Sequence, residues 1–528
     1  MKKIQVLDCT LRDGGYCNDF NFGIPNIQRI ICGLIEANID IVECGFLSHK
    51  INYNQDITKY SRMEQVNQFI PKDKKGKKFV LLANYGELNI NGLENRTENG
   101  IDGIRVAFHK KDLNDAIKLC ESIKEKGYEV FVQAMVSLSY SDAEFLDLIH
   151  KANSLSPYAF YIVDSFGVMK QNDLARLFYL VDNNLRQDIK LGYHAHNNLQ
   201  LAHSNARFFV ETKTTRELII DTSIMGMGRG AGNLNTELFL DYLINVNDKQ
   251  YNVQPILSLI DEVVNDFYQK SQWGYSLPNY LSAKHNIHPN YAKFLADKHT
   301  LTISEMDAIF DDIKEEKQIN FDKNYIEELY VSFMSRGKVK DGRLYEFKQA
   351  LNGKKVVLIA PGKSAEKFKG KIDKFISQPD VVSISVNFDF GETTDYVFVS
   401  NIRRYGNLSG AVQNKVILTS NISAEEFFVK VNYMDLINDD QRVFDNAGLM
   451  SIKLLINLGI KEIYLAGFDG YSHSSGQNYV KTSMELSYQN DGIDELNTGM
   501  KEVLSKYSEK INIIYLTSSM FEQYGKER

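Results

Sequence analysis

His194 and His196 stand two residues apart in the run His-Ala-His-Asn-Asn. On extended chain that spacing turns both imidazoles to one side, as metal ligands require. Paired histidines also occur as core or surface residues, so the spacing gains weight only with further ligands nearby. Asp13, in Leu-Arg-Asp-Gly, offers a carboxylate, and Asn233, in Gly-Ala-Gly-Asn, offers an amide oxygen. An oxygen-rich set without thiolate suits Mn²⁺ or Mg²⁺, with Zn²⁺ or Co²⁺ as alternatives. Arg12 directly precedes Asp13. A guanidinium there can hold the oxyanion of an enolate, or it can pair with Glu43 or Asp164. A cation chelated by a 2-oxo acid withdraws electrons from the carbonyl, and a fixed arginine adds to that pull. Together they bring an enolate within reach near neutral pH, which is the difficult step of aldol and Claisen chemistry.

These residues need a frame that brings distant segments together. Short β-branched or aromatic runs at 4–7, 39–43, 79–83, 103–107, 129–134, 158–163, 190–194 and 217–221 alternate with amphipathic stretches such as 26–37, 113–126 and 141–152. Strand–helix alternation argues for a parallel sheet covered by helices. Eight such runs fit a closed (β/α)₈ TIM barrel better than an open doubly wound sheet. In such a barrel the chemistry sits at the C-terminal ends of the strands. Arg12 and Asp13, Glu43, Asn84, Gln133, Asp164 and Ser165, the histidine pair and Asn233 all fall at such ends. Glu43, Gln133 and Ser165 are accordingly the substrate-binding candidates. The glycine-rich run at 226–232 lacks the Gly-Lys-Ser/Thr of a phosphate loop, so its glycines are read as letting backbone approach the site.

Beyond the barrel (1–250), residues 251–345 read as a helical extension, and a new α/β pattern opens at Lys354. Strands are expected at 356–360, 381–386, 396–400, 415–419, 462–466 and 511–516, with a helix at 447–458. Residues 346–528 therefore form a second, Rossmann-like domain. The 528 residues carry 61 basic and 68 acidic side chains, a net charge of −7, which disfavours nucleic acid and anionic membrane as partners. The five cysteines are odd in number and lack zinc spacing, and no apolar run reaches membrane-spanning length. A cytoplasmic protein, most simply a homo-oligomer, is the expectation.

Leu-Arg-Asp-Gly after the first strand, His-Ala-His-Asn-Asn on the seventh and Gly-Ala-Gly-Asn after the eighth resemble the DRE-TIM metallolyases over about residues 1–345. That family includes 4-hydroxy-2-oxovalerate aldolase, 3-hydroxy-3-methylglutaryl-CoA lyase and 2-isopropylmalate synthase. The resemblance implies Asp13, His194, His196 and Asn233 as metal ligands, Arg12 as enolate stabiliser and Ser165 as a substrate contact. It implies a metal-dependent carbon–carbon lyase acting on a pyruvate-type 2-oxo acid and an aldehyde or acyl acceptor. The alternatives are an acyl-CoA-condensing synthase and a non-catalytic metal-binding scaffold. The aldolases place a histidine two residues after the glycine, where this chain has Tyr16. Proton transfer then falls to Tyr16, Tyr275 or solvent at the metal.

The segment from Asn446 to Tyr471, with Gly467 and Asp469 ending a buried strand, resembles bacterial sialyltransferases that use a CMP-sugar. By that resemblance Gly362, Tyr471 and Tyr479 would meet a nucleotide or nucleotide sugar. The histidine those enzymes use as base has no counterpart in 484–499. A fusion of this kind points to surface polysaccharide precursor synthesis.

Overall fold

The computed structural model describes residues 3–246, 250–337, 339, 343–474, 476–481, 484, 490–522 and 526–527. The chain divides into two compact units. The first comprises Met1–Lys293 and Lys314–Phe321, the second Phe294–Ile313 and Asp322–Arg528. The helical stretch expected to extend the barrel as one piece is thus shared between them.

In the first unit eight parallel strands form a closed ring: β1 (Ile4–Asp8), β2 (Ile41–Leu47), β3 (Lys78–Asn84), β4 (Gly103–Phe108), β5 (Glu129–Ala134), β6 (Ala159–Asp164), β7 (Lys190–Ala195) and β8 (Leu218–Thr222). Closure comes from β1, which pairs with β2 on one side and with β8 on the other. This is the (β/α)₈ barrel that the alternation predicts. Inside the ring, Leu7, Ile41, Val80, Phe131, Tyr161 and Ile219 pack together. A second, larger core lies between strands and helices. Helix Ile24–Glu36 illustrates how it forms. Ile27, Ile30, Ile31 and Leu34 are buried at helical spacing on one stripe, each worth about 1.5–3 kcal/mol of apolar burial.

Strand β2 carries the one local irregularity that matters for the site. Its register against β3 shifts between Glu43 and Phe46, around Gly45 with φ +142°. A Cβ at Gly45 would stand 2.1 Å from the Thr58 carbonyl oxygen, so only glycine permits this bulge. The bulge re-aims the strand where Glu43 points into the barrel.

The second unit holds an all-parallel sheet: β9 (Lys355–Ile359), β10 (Val381–Val386), β11 (Tyr396–Val399), β12 (Val416–Thr419), β13 (Val429–Val431), β14 (Glu462–Ala466), β15 (Asn512–Tyr515) and β16 (Lys526–Glu527). Their order is β13-β12-β11-β10-β9-β14-β15-β16. The chain starts in the middle at β9, winds outward one way, then returns to β9's other side with β14. That reversal is compatible with a Rossmann-like domain. Helices Ile303–Asp311 and Lys323–Met334 belong here; Tyr330, for example, donates to Asp445 Oδ2 (2.7 Å). Among the described residues no helix is long and apolar enough to cross a membrane.

Candidate metal centre

Strand β7 delivers His194, and His196 follows at its end, so both rings emerge at the C-terminal mouth. Asp13 closes the short helix Thr10–Asp13 that follows β1. Asn233 reaches His196 through an isolated antiparallel bridge. His194 Nε2 lies 3.3 Å and His196 Nε2 3.5 Å from Asp13 Oδ2. Asp13 Oδ2 and Asn233 Oδ1 are both buried and accept no hydrogen bond. Exposure is 1 % for Asp13, 2 % for Asn233 and 5 % for each histidine.

Two buried oxygen acceptors lack donors, and two imidazole nitrogens stand beside one of them. Leaving buried acceptors unsatisfied costs about 1–3 kcal/mol each. A divalent cation at that place satisfies them, so the residues fit the metal.

The supporting contacts agree. His194 Nδ1 donates to Asp221 Oδ2 (2.9 Å), which fixes the tautomer and leaves Nε2 as the ligand atom. Asn233 Nδ2 donates to the Met227 carbonyl (3.4 Å), which leaves Oδ1 for the site. A Cβ on Gly228 would fall 2.2 Å from Asn233 Nδ2, so the glycine at this place makes room for the amide. Asn198 Oδ1 accepts from Ala231 N (2.9 Å) and Asn197 N donates to the Gly232 carbonyl (2.8 Å). The His-Ala-His-Asn-Asn segment and the glycine loop are therefore stitched together by one side-chain and one backbone hydrogen bond.

Around the donors runs a closed circuit of buried ion pairs. Arg12 Nε pairs with Glu43 (2.7 Å), and Glu43 with Arg105 Nη1 (2.8 Å). Arg105 pairs with Asp221, Asp221 with His194, His194 with Asp13, and Asp13 with Arg12 Nη1 (3.1 Å). Burial raises the Asp13 carboxyl, but Arg12 and the two histidines outweigh it and hold the group well below the usual range. Burial pulls His194 down, yet the carboxylates of Asp13 and Asp221 beside it leave it above its ordinary value. For His196 burial outweighs the pull of Asp13 and pushes it down to about 3, so it is neutral at any physiological pH.

The remaining predicted residues fall as follows. Glu43 lies fully buried between the two guanidinium groups. With its amide oxygen facing Arg105, Gln133 accepts from Nε (3.1 Å) and Nη2 (2.8 Å). Ser165 Oγ accepts from Val136 N (2.8 Å). Tyr16 stands at the rim, 44 % exposed, packed on Phe20 and Phe46, and desolvation raises its phenol above the ordinary value. Tyr275 is 58 % exposed and makes no hydrogen bond among the described residues. Three residues went unnamed in the sequence. Arg105 was legible as a charge inside the apolar run of β4, and Asp221 as an acid ending β8. Cys9 has its sulfur, with an Asp13 oxygen and a His194 nitrogen, in a group whose atoms lie within 4.8 Å of one another. Burial pushes its thiol well above the ordinary value, and its place beside Asp13 and His194 adds a sulfur to a donor set expected from the sequence to be free of thiolate.

Residues 3–263 match the HMGL-like family model. The chain is 25 % identical over 276 residues to 4-hydroxy-2-oxovalerate aldolase of Geobacillus thermodenitrificans, covering 51 % of this chain and 78 % of that protein. It is 29 % identical over 269 residues to the protein of the same name from Carboxydothermus hydrogenoformans, covering 50 % and 77 %. The carboxyl transferase domain of Rhizobium etli pyruvate carboxylase is similar in fold, with TM-score 0.50 and 13 % identity over 66 % of this chain and 65 % of that one. Strand order and family model agree: residues 3–263, the barrel of this chain, are an HMGL-like domain.

Proposed function

We propose that the barrel is a divalent-metal-dependent aldolase that makes or breaks a carbon–carbon bond between a pyruvate-type 2-oxo acid and an aldehyde. The observation that carries this reading is the approach of His194 and His196 to Asp13, with unsatisfied oxygens on Asp13 and Asn233, beside the fixed charge of Arg12. A divalent cation there, Mn²⁺ or Mg²⁺ by donor type, would supply Lewis-acid polarisation of the oxo acid's carbonyl. Arg12 is held by Glu43 and Asp13 and turns a permanent positive charge towards the oxygen on which enolate charge builds. Burial of the donors excludes water, so that charge is not screened. Tyr16, with its phenol raised above the ordinary value, stays protonated near neutral pH. It therefore acts as a proton donor to the oxygen of the acceptor aldehyde, and a separate base takes the methyl proton.

Deuterium exchange into the methyl group of pyruvate, with and without added Mn²⁺, tests the reading. Metal-dependent exchange is the expected result, and its absence with every divalent ion would overturn the proposal. Arg12→Lys keeps the charge but loses the planar donor pair, so exchange is expected to slow by about a hundredfold. Exchange at the parent rate would remove Arg12 from the chemistry.

The second unit supports a binding role. A cavity opens at the C-terminal ends of β9 and β14, where the strand order reverses, and Gly362, Tyr471 and Tyr479 all line it. The turn after β9 is not open to a phosphate: Ser364 N donates to Asp469 Oδ2 (2.7 Å), so a carboxylate already fills that place. Arg404 also lines the cavity, lies over the Tyr479 ring (5.7 Å) and donates to the Met484 carbonyl (2.6 Å); it is a charge that a nucleotide's phosphate could meet. Calorimetry of the full chain against CMP, UMP, AMP and GMP checks this; binding of none would leave the cavity without the nucleotide role.

A further inference from the structure

Arg229 sits in the glycine loop after β8, one residue beyond the Gly228 that makes room for Asn233. Its guanidinium lies over the Tyr16 ring (5.3 Å), and Nη1 is 3.5 Å from His288 Nε2. Nε is buried and donates to nothing. Among the described residues no carboxylate pairs with it. Elsewhere in the mouth every buried guanidinium is matched: Arg12 by Glu43 and Asp13, Arg105 by Glu43 and Asp221. Arg229 is the exception, and its surroundings do not supply the missing charge. His288 is wedged between Phe166 and Phe321, and burial, with Arg229 adding to it, pushes it down to about 3. His109 is lowered as well, first by burial, with Arg229 among the smaller causes. A half-buried arginine with a stranded donor pays for desolvation without an internal partner, and such sites are recovered by an external anion.

The loop fixes where that anion would lie. Cys17 Sγ donates to the Gly228 carbonyl (3.3 Å), and Asn198 and Asn197 hold Ala231 and Gly232. The side chain therefore springs from backbone pinned to the metal-bearing segments. Arg12 turns inward to Glu43 and Asp13, whereas Arg229 faces Tyr16 and His288. The two guanidinium groups thus serve different ends of the site. The inner one borders the 2-oxo acid. The outer one borders Tyr16, the group assigned above to the acceptor's oxygen.

We infer that Arg229 is a specificity residue that binds an anionic group, carboxylate or phosphate, on the acceptor aldehyde. The inference rests on the aldolase reading and narrows its second substrate from any aldehyde to one carrying a negative charge away from the carbonyl. Neutral His288 adds a hydrogen-bonding edge beside the guanidinium.

Two measurements test it, and only one needs turnover. Calorimetry of the full chain is done with inorganic phosphate and, separately, with propionate, on the parent and on Arg229→Gln. One of the two anions is expected to bind the parent and to lose about tenfold to a hundredfold in affinity in the variant, the worth of hydrogen bonds to a charged group. Which anion binds tells phosphate from carboxylate. The kinetic arm compares pyruvate condensation with propionaldehyde, succinic semialdehyde and glyceraldehyde 3-phosphate. The ratio of kcat/KM for the preferred anionic aldehyde over propionaldehyde is expected to fall by the same factor in Arg229→Gln and to recover in part in Arg229→Lys. No anion bound by the parent, or a ratio unmoved by the substitution, would overturn the assignment. Metal-dependent exchange into pyruvate by the parent chain checks the aldolase reading separately, so failure of one is distinguishable from failure of the other.

Discussion

His194→Ala is expected to empty the metal centre. The substitution removes one ligand nitrogen and also takes one partner from Asp221 Oδ2, leaving Arg105. Loss of a supporting partner alone lowers metal affinity by about tenfold to a hundredfold, and loss of the ligand itself should exceed that. Elemental analysis after dialysis, and titration with Mn²⁺ followed by its paramagnetic signal, would record it; parent-level occupancy would refute the ligand set. The parent chain should also take up metal more weakly as pH falls. His194 is held above its ordinary value, so in the metal-free chain it keeps a proton that the cation must displace. Affinity therefore rises with pH through the His194 transition and levels off above it. His196, already neutral down to about pH 3, contributes nothing to that slope in the neutral range.

Arg105→Met should cost more in stability than any substitution at the rim. Arg105 is fully buried and pairs with both Glu43 and Asp221. A methionine fills much of the volume but strands two carboxylates in the barrel interior, and breaking a buried pair in this way typically costs about 3–5 kcal/mol. Denaturant unfolding monitored at the barrel checks the value. A midpoint equal to the parent's would mean that Glu43 and Asp221 find other partners or take up protons at little cost. Replacing Arg105, Glu43 and Asp221 together by apolar residues should recover part of the loss, because it removes the orphaned charges as well as the pair.

Much of this was legible in the sequence because it follows from periodicity and from where strands end. The runs at 129–134 and 190–194 became Glu129–Ala134 and Lys190–Ala195, within a residue of expectation. The histidine pair, Asp13 and Asn233 were placed by reasoning that a barrel gathers its strand ends; both histidines stand beside Asp13, and Asn233 bridges to His196. What stayed hidden depends on contacts between segments far apart in the chain. Arg12 was read as either enolate stabiliser or salt-bridge partner, and its pairing with Glu43 leaves room for both, since the ion pair holds the charge in place. The bulge at Gly45 could not be read, because the glycine is required only by the approach of Thr58. The division of the helical stretch at Lys293 was likewise invisible: amphipathic helices announce that they have an apolar face, not which core receives it.

The circuit of ion pairs sets the size of the smallest portable version of this site. A designer who moves Asp13, His194 and His196 alone into another barrel carries three donors but none of what aims them. Asp221 sets the tautomer of His194, Arg105 neutralises Asp221, Glu43 spans the two arginines, and Arg12 returns to Asp13. Each member is balanced by its neighbours on both sides, so cutting the loop anywhere leaves two unpaired ends in a medium that cannot solvate them. The transferable unit is the whole loop with Asn233, His196 and the glycine turn that admits the amide, drawn from five of the eight strands or the segments that follow them. By the same reasoning, relatives that drift at one position of the loop should be expected to have changed a neighbouring one as well.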